Sequence, residues 1–562
     1  MKQLTTGDYL VFLVYFVVVA LYGFWVYRRK RNADATSKDY FLAEGSLTWW
    51  AIGSSLIASN ISAEQFIGTS GSAFREGLAI ATYEWMAAIT LIVVAIFFIP
   101  VYLRNKIFTM PQFLNQRYNG TVAMIMAIFW LLLYIVVNLM SILYLGALAI
   151  SQIADISIVP CILFLAVFAV LITLGGRKVI GYTDVIQVFV LVLGGLVAAY
   201  LALDKISGMD GGGGWLHGLS VLHKEANDHF HMILRKDNPN YVDLPGLSVL
   251  IGGMWIVNLN YWGCNQYITQ RALGANLKTA RGGILFAAFL KLLMPVIVVI
   301  PGIATYLLYQ KGMFHHEMMS AKGVLDPNKA YPSLLTLLPS GLKGLSFAAL
   351  TAAIVASLAG KANSIATIFT LDIYKKAINP GANDRQLVNL GKLSVLVAMA
   401  LGVIMSFVIG EALMGEGKQG FQYIQEYTGF VSPGIFAMFI LGFFWKKATS
   451  NAALFATIGG FVFSVFFKFL PNFANLDFLK PYGFYSINNA SHAYEIPFLD
   501  RMGFVFIICV AGMYIISMIE NSRGERVNGL EVDTTMFRTN RAFTAGAVIV
   551  TGIVVALYTL FW

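Results

Sequence analysis

SSLIASNISAEQFIG, residues 54–68, interrupts a stretch that is otherwise apolar enough to cross a lipid bilayer. Ser54, Ser55, Ser59, Asn60, Ser62, Glu64 and Gln65 stand where a membrane helix normally carries Leu or Val. Polar side chains at that depth are costly, so they face a bundle interior or a water-filled cavity. The segment therefore reads as a broken helix at the centre of the chain. Its plainer alternative is a helix whose polar side chains only bind it to its neighbours.

Composition supports a membrane setting. Of the 562 residues, 58% are hydrophobic and 12% charged, whereas a soluble domain carries about a quarter charged residues. The mean hydropathy is +0.71. The expected fold class is an all-α polytopic membrane protein. About fourteen segments reach the roughly 17–25 residues that a transmembrane helix needs. They lie near 8–27, 47–70, 78–102, 121–151, 157–175, 184–203, 246–268, 282–309, 341–373, 389–411, 420–445, 451–469, 499–519 and 542–561.

The net charge of +10 follows membrane topology, so no nucleic-acid partner is expected. With the amino end outside, 23 of the 39 Lys and Arg residues fall in loops assigned to the cytoplasm, as the positive-inside rule requires. The first apolar run, Leu10 to Val26, is followed at once by Arg28, Arg29, Lys30 and Arg31. A secretory signal has the opposite order, so a retained helix is expected. The lipid bilayer of the cell membrane is the predicted setting, with both termini outside the cytoplasm. Cys161, Cys264 and Cys509 all lie in apolar segments and read as small buried side chains. All seven histidines fall in outer loops, leaving none for an intramembrane proton relay. His229 and His231 read as a solvated pair rather than a metal site.

A second interruption follows five segments after the first, in 246–268. There Gly252-Gly253 precedes Asn258, Asn260, Tyr261, Asn265 and Gln266. Paired breaks at matching positions mark inverted-repeat transporters, whose discontinuous helices cradle solute and ions near the midplane. The boundaries expected are 46–203 and 246–445 for two five-helix repeats. A first helix and basic loop occupy 1–45, an outer loop 204–245, and three additional helices 446–562. Glu84, Lys291 and Lys361 are charges set deep in apolar segments. Glu84 and Lys291 supply an acceptor and a donor of opposite sign, suited to a hydroxyl-rich ligand without net charge; a purely structural pair is the alternative. Thr351, Ser357 and carbonyls near Ala58 and Ile61 are oxygen ligands of the kind a hard cation takes, although composition alone leaves an ion site there open.

The chain resembles the sodium/solute symporter family, in its sodium/glucose-type branch. The resemblance runs through residues 54–68, YEWMAAITLI (83–92), YTDVIQVFVLVLGG (182–195), NLNYWGCNQYITQR (258–271), FAAFLKLL (286–293), NSIATIFTLDIY (363–374) and FQYIQEYTGFVSPGI (421–435). It implies a LeuT-type 5+5 inverted-repeat core, with one helix before it and three after. The implied activity is import of a small neutral hexose, like galactose or glucose, coupled to Na+ by alternating access. No catalytic residues and no enzyme activity are implied. Sugar binding would fall to Gln65, Glu84, Asn258, Lys291 and Gln425. Tyr261 would form an inner gate held by Asn60, and Tyr83 and Phe421 an outer one. Sodium would take carbonyls of Ala58, Ile61 and Ala353 and a hydroxyl of Ser357, and leave past Asp184.

Four positions depart from the family pattern. Ala356 lacks the expected hydroxyl, Lys361 puts a charge one turn beyond Ser357, Ala87 replaces a serine, and Thr69 replaces an outer-gate methionine. An ammonium near a sodium site repels the ion. Lys361 is therefore expected to pair with Asp184, to replace the coupling cation and give sodium-independent or proton-linked transport, or to point into a cytoplasmic vestibule. Inositol or sialic acid as solute, and a sugar sensor without flux, are the remaining alternatives. Two carboxylates in one dry site repel, so Glu84 argues against an anionic solute.

Overall fold

The computed structural model describes residues 4–29, 48–107, 109–174, 177–320, 322–415, 418–488, 492–525 and 527–562. Helices lie over every predicted apolar segment, from Thr6–Arg29 to Arg541–Leu560. Among the described residues, nine helices are long and apolar enough to cross a membrane. The pair Gly420–Thr428 and Ser432–Phe444, bent by 48°, makes a tenth. The other predicted spans fall on shorter apolar helices such as Ile158–Leu174, or on helices that break.

Both predicted breaks are present. Trp49–Asn60 ends where Ile61 turns to extended backbone, φ −72° and ψ 111°. The chain then resumes as a wide π-helical turn over Glu64–Thr69 and continues as Ser70–Glu76. The second break is at Asn265, φ −97° and ψ 121°, between Gly253–Cys264 and Gln266–Leu273. Exposed backbone of this kind persists at membrane depth only when protein or a cavity surrounds it.

The helix Leu277–Gln310 packs against Trp49–Asn60, Ser70–Glu76 and Thr82–Val93, and so ties the first break to the chain that follows it. Glycines set this approach. A Cβ on Gly53 would stand 2.6 Å from the Gly283 carbonyl oxygen, and one on Gly283 would stand 2.7 Å from Ile52. Pro295, inside the same helix, removes the amide that would otherwise bond the Lys291 carbonyl. On the far side of the break, Leu342–Thr367 packs on Thr6–Arg29, Ile158–Leu174 and Arg177–Met209.

Two arginines in loops expected on the cytoplasmic side, Arg117 and Arg281, are buried as caps. Arg117 donates to the carbonyls of Gly442, Trp445 and Ala448 at 2.8, 2.9 and 3.0 Å. These include carbonyls at the end of the Ser432–Phe444 helix, which have no partner within it. Arg281 does the same for Ala95 at 3.0 Å and Arg538 at 2.7 Å.

Part of the 204–245 loop is packed rather than solvated. His229 is buried, stacks on Tyr306 with ring centroids 3.9 Å apart, and reaches the Phe74 carbonyl at 3.3 Å. His231 is exposed, so the two do not form the solvated pair expected from sequence. Gly77 makes this packing possible. Its φ is +67°, and a Cβ there would lie 2.3 Å from the His229 carbonyl oxygen. Lys468, which sequence places within a span, bridges Glu426 at 2.6 Å and Glu495 at 3.0 Å. The three cysteines are buried and free.

Asp243, in the same outer loop, carries a pH dependence. Burial pushes its carboxyl up to about 7; Arg75 and Lys468 pull it down, and Glu495 and Glu426 push it up. Glu76 also faces it. A carboxyl raised above its unfolded value contributes stability at low pH that is lost as pH rises through the folded value. The native protein is therefore expected to lose thermal stability as pH rises from about 4 to 7. Asp243→Asn is expected to flatten that loss, as read by melting in detergent.

Candidate functional site

The first break, the start of Thr82–Val93 and the middle of Leu277–Gln310 converge on one polar network. Glu84, in the first turn of its helix, and Lys291 are each 1% exposed. The Lys291 ammonium donates to Glu84 Oε2 at 2.5 Å and also to the side-chain oxygen of Asn60. Gln65 donates to the other Glu84 oxygen, and the Thr69 hydroxyl donates to the Gln65 side-chain oxygen Oε1 at 2.9 Å. Asn60 donates to the Tyr261 hydroxyl at 3.3 Å. Lys291 also stands 5.2 Å from the Trp262 ring centroid, within cation–π range.

This network lines a cavity of about 90 Å³, large enough for water. Asn60, Gln65, Tyr83, Glu84, Asn258, Tyr261, Lys291, Phe421 and Gln425 all border it, so nine residues singled out in the sequence meet at one place. Thr69 is not on this wall; it is fully buried behind Gln65. It therefore orients a lining side chain. Asn258 bonds back to the Met254 carbonyl at 3.2 Å.

Two aromatic rings cover one side of the cavity. The Tyr83 and Phe421 rings meet edge to face, 4.9 Å apart at 87°. Tyr83 donates to Gln422 at 3.4 Å, and Gln422 in turn holds both Glu76 oxygens at 3.0 and 2.9 Å. Gln422 and Glu76 extend this contact and carried no signal in the sequence. Gln422 immediately follows Phe421 in the sequence, but nothing there places it opposite Glu76.

Ser357 is fully buried and donates to the Ile61 carbonyl at 3.3 Å. The hydroxyl and the unwound carbonyl expected to share a cation thus face each other. Ala58 and Ala353 are buried on the same two helices, whereas Ala356 contributes only a methyl group.

Lys361 has two partners among the described residues. Its ammonium lies 2.6 Å from Asn138 Oδ1 and 3.7 Å from Glu64 Oε2. Asp184 falls in the helix Arg177–Met209, with its side chain outside the described residues. Glu64, Asn138 and Lys361 border the same cavity as Glu84 and Lys291, so Lys361 faces the cavity.

Two broken helices that meet around one cavity with balanced fixed charges define a secondary transporter. The sequence comparisons agree: the model of the sodium:solute symporter family matches residues 40–460. The chain belongs to that family. It is 44% identical over 566 residues to the sodium/glucose cotransporter of Vibrio parahaemolyticus, covering 99% of this chain and 98% of that one. It is 33% identical to sodium/myo-inositol cotransporter 2 of Oryctolagus cuniculus, over 82% of this chain and 69% of the relative. The fold matches a solved Na+-coupled sialic acid symporter, captured outward-open with substrate, with a TM-score of 0.73 at 21% identity over 92% of this chain and 98% of that one. The protein is thus a LeuT-type, sodium-coupled solute symporter and not an enzyme, with Na+ as its coupling ion.

Proposed function

We propose that the protein imports a neutral hexose of the glucose or galactose type together with Na+. The observation that carries this is the network of Gln65, Glu84, Lys291, Asn60 and Tyr261 around one cavity. One carboxylate and one ammonium balance, so an uncharged solute leaves no excess charge in the membrane. Carboxylate, amide and ammonium groups together accept from and donate to vicinal hydroxyls, while the Tyr261 ring offers an apolar face. The 44% relative, named a sodium/glucose cotransporter, supports the same solute class.

In the cycle that follows from this reading, sodium joins the carbonyls of Ala58, Ile61 and Ala353 to the Ser357 hydroxyl and steadies the break. Sugar enters from outside and exchanges its hydroxyls for the mutual contacts of Glu84 and Lys291. Tyr83 and Phe421 then close above it. Opening inward releases sodium past Asp184, and Tyr261 leaves the sugar's path. The membrane potential contributes roughly 2.3 kcal/mol per charge per 100 mV. The repeats occupy 46–203 and 246–445, and the chain lies in the cell membrane with both termini outside the cytoplasm.

Counterflow in proteoliposomes tests the solute class. Labelled glucose or galactose should be displaced by unlabelled neutral hexoses but not by sialic acid. Displacement by sialic acid alone would overturn the assignment, and stronger displacement by myo-inositol would move it to a cyclic polyol. Tyr261→Phe removes the hydroxyl that Asn60 holds. It is expected to raise sugar efflux in the absence of a sodium gradient severalfold, since a hydrogen bond of this kind contributes about 0.5–1.5 kcal/mol.

A further inference from the structure

Beside the coupling-ion site lies a second set of oxygen ligands. Glu64 begins the π-helical turn after the break. Its Oε1 accepts from the Ser141 hydroxyl at 2.7 Å, and its Oε2 lies 3.5 Å from the Ser62 hydroxyl. Asn138, in the π-helical turn Leu133–Leu139, presents its amide oxygen to the same point. A carboxylate and an amide oxygen converging on one spot are ligands for a hard cation. The cation found there belongs to the protein: the Lys361 ammonium, 2.6 Å from Asn138 Oδ1 and 3.7 Å from Glu64 Oε2. The Lys361 side chain is 6% exposed and that of Glu64 16%. A carboxylate so enclosed requires a positive partner, because an uncompensated charge in such a place is strongly destabilising.

We propose that Lys361 is a tethered cation. It occupies a cation-binding position formed by Glu64 and Asn138, next to the coupling sodium, and so lowers by one the number of mobile cations the cavity takes in each cycle. With Lys361 present, the fixed charges bordering the cavity cancel in two pairs, Glu84 with Lys291 and Glu64 with Lys361. Replacing Lys361 with an uncharged side chain leaves the Glu64 carboxylate to recruit a sodium ion from solution. This inference rests on the sodium-coupled hexose reading above and adds to it a device that sets stoichiometry.

The test measures sodium and hexose flux together, using radioactive sodium and labelled hexose with the full-length protein in proteoliposomes. Lys361→Met and Lys361→Gln are both expected to raise the sodium-to-hexose ratio by one and to steepen the sodium dependence of uptake. Glu64→Gln combined with Lys361→Met is expected to return the ratio to the native value, and Lys361→Arg to keep it. Sodium binding to purified protein counts sites without requiring turnover, and should show one more site in Lys361→Met. An unchanged site count and ratio, or an increase that follows pH and not sodium, would overturn the proposal. Absence of sodium-dependent hexose uptake in the native protein would instead count against the function proposed above, because the site count in Lys361→Met is read independently of hexose.

Discussion

Glu84→Gln is expected to reduce sodium-driven hexose uptake by about two to three orders of magnitude. Its carboxylate sits between the Lys291 ammonium and the Gln65 amide, with 2% of each charged side chain exposed. Removing one member of a buried pair leaves the other uncompensated, at about 3–5 kcal/mol, and each 1.4 kcal/mol is about a factor of ten. Gln keeps the shape and one acceptor but not the charge, so it neither neutralises Lys291 nor binds two hydroxyls as a carboxylate does. The single variant should also melt at lower temperature. Glu84→Gln with Lys291→Met removes both charges and should recover much of the stability without recovering uptake. If the double variant transported like the native protein, the pair would be structural and the sugar site would lie elsewhere.

Ser357→Ala should act on the ion and leave the sugar contacts alone. The Ser357 hydroxyl faces the Ile61 carbonyl across the break, 3.3 Å away, and Ala356 beside it supplies no second hydroxyl. Each oxygen contact to a charged group contributes about 1.5–3 kcal/mol, so the sodium concentration for half-maximal uptake should rise by about ten- to a hundredfold. Uptake at saturating sodium should fall far less. Ala356→Ser, adding the hydroxyl that the family pattern carries, is expected to move the half-saturation concentration the other way. An unchanged sodium dependence in Ser357→Ala would remove this hydroxyl from the ion site.

Much of the site was legible because a bilayer makes polar residues conspicuous. Glu84 and Lys291 stand out in TYEWMAA and AAFLKLL, as Asn60 and Gln65 do in the first break, since each occupies a position where apolar side chains are the rule. The two extended residues, Ile61 and Asn265, fall within the clusters whose matched spacing implied them. What could not be read is which of these groups touch. Glu84 and Lys291 lie far apart in the chain, and the packing of Leu277–Gln310 against Thr82–Val93 brings them together.

Lys361 shows the same limit. Asp184, a built-in cation role and a cytoplasmic vestibule were the alternatives for it, and the side chain of Asp184 lies outside the described residues; Glu64, which meets Lys361, was read only as part of a polar run. Asn138 carried no sequence signal at all, since a single Asn in an apolar helix resembles ordinary helix adhesion. The outer loop failed for a different reason. Its histidines look solvated in sequence, but Gly77 lets the chain turn tightly enough for His229 to pack over Phe74 and Tyr306.

The central claim is that this cavity couples entry of a neutral hexose to the sodium gradient. Accumulation of labelled glucose or galactose in proteoliposomes tests it most directly, with an inward sodium gradient, an inward proton gradient, or neither. Accumulation above equilibrium with the sodium gradient alone, collapsed by a sodium ionophore and lost in Glu84→Gln, is the predicted result. Equal uptake under all three conditions would contradict the account.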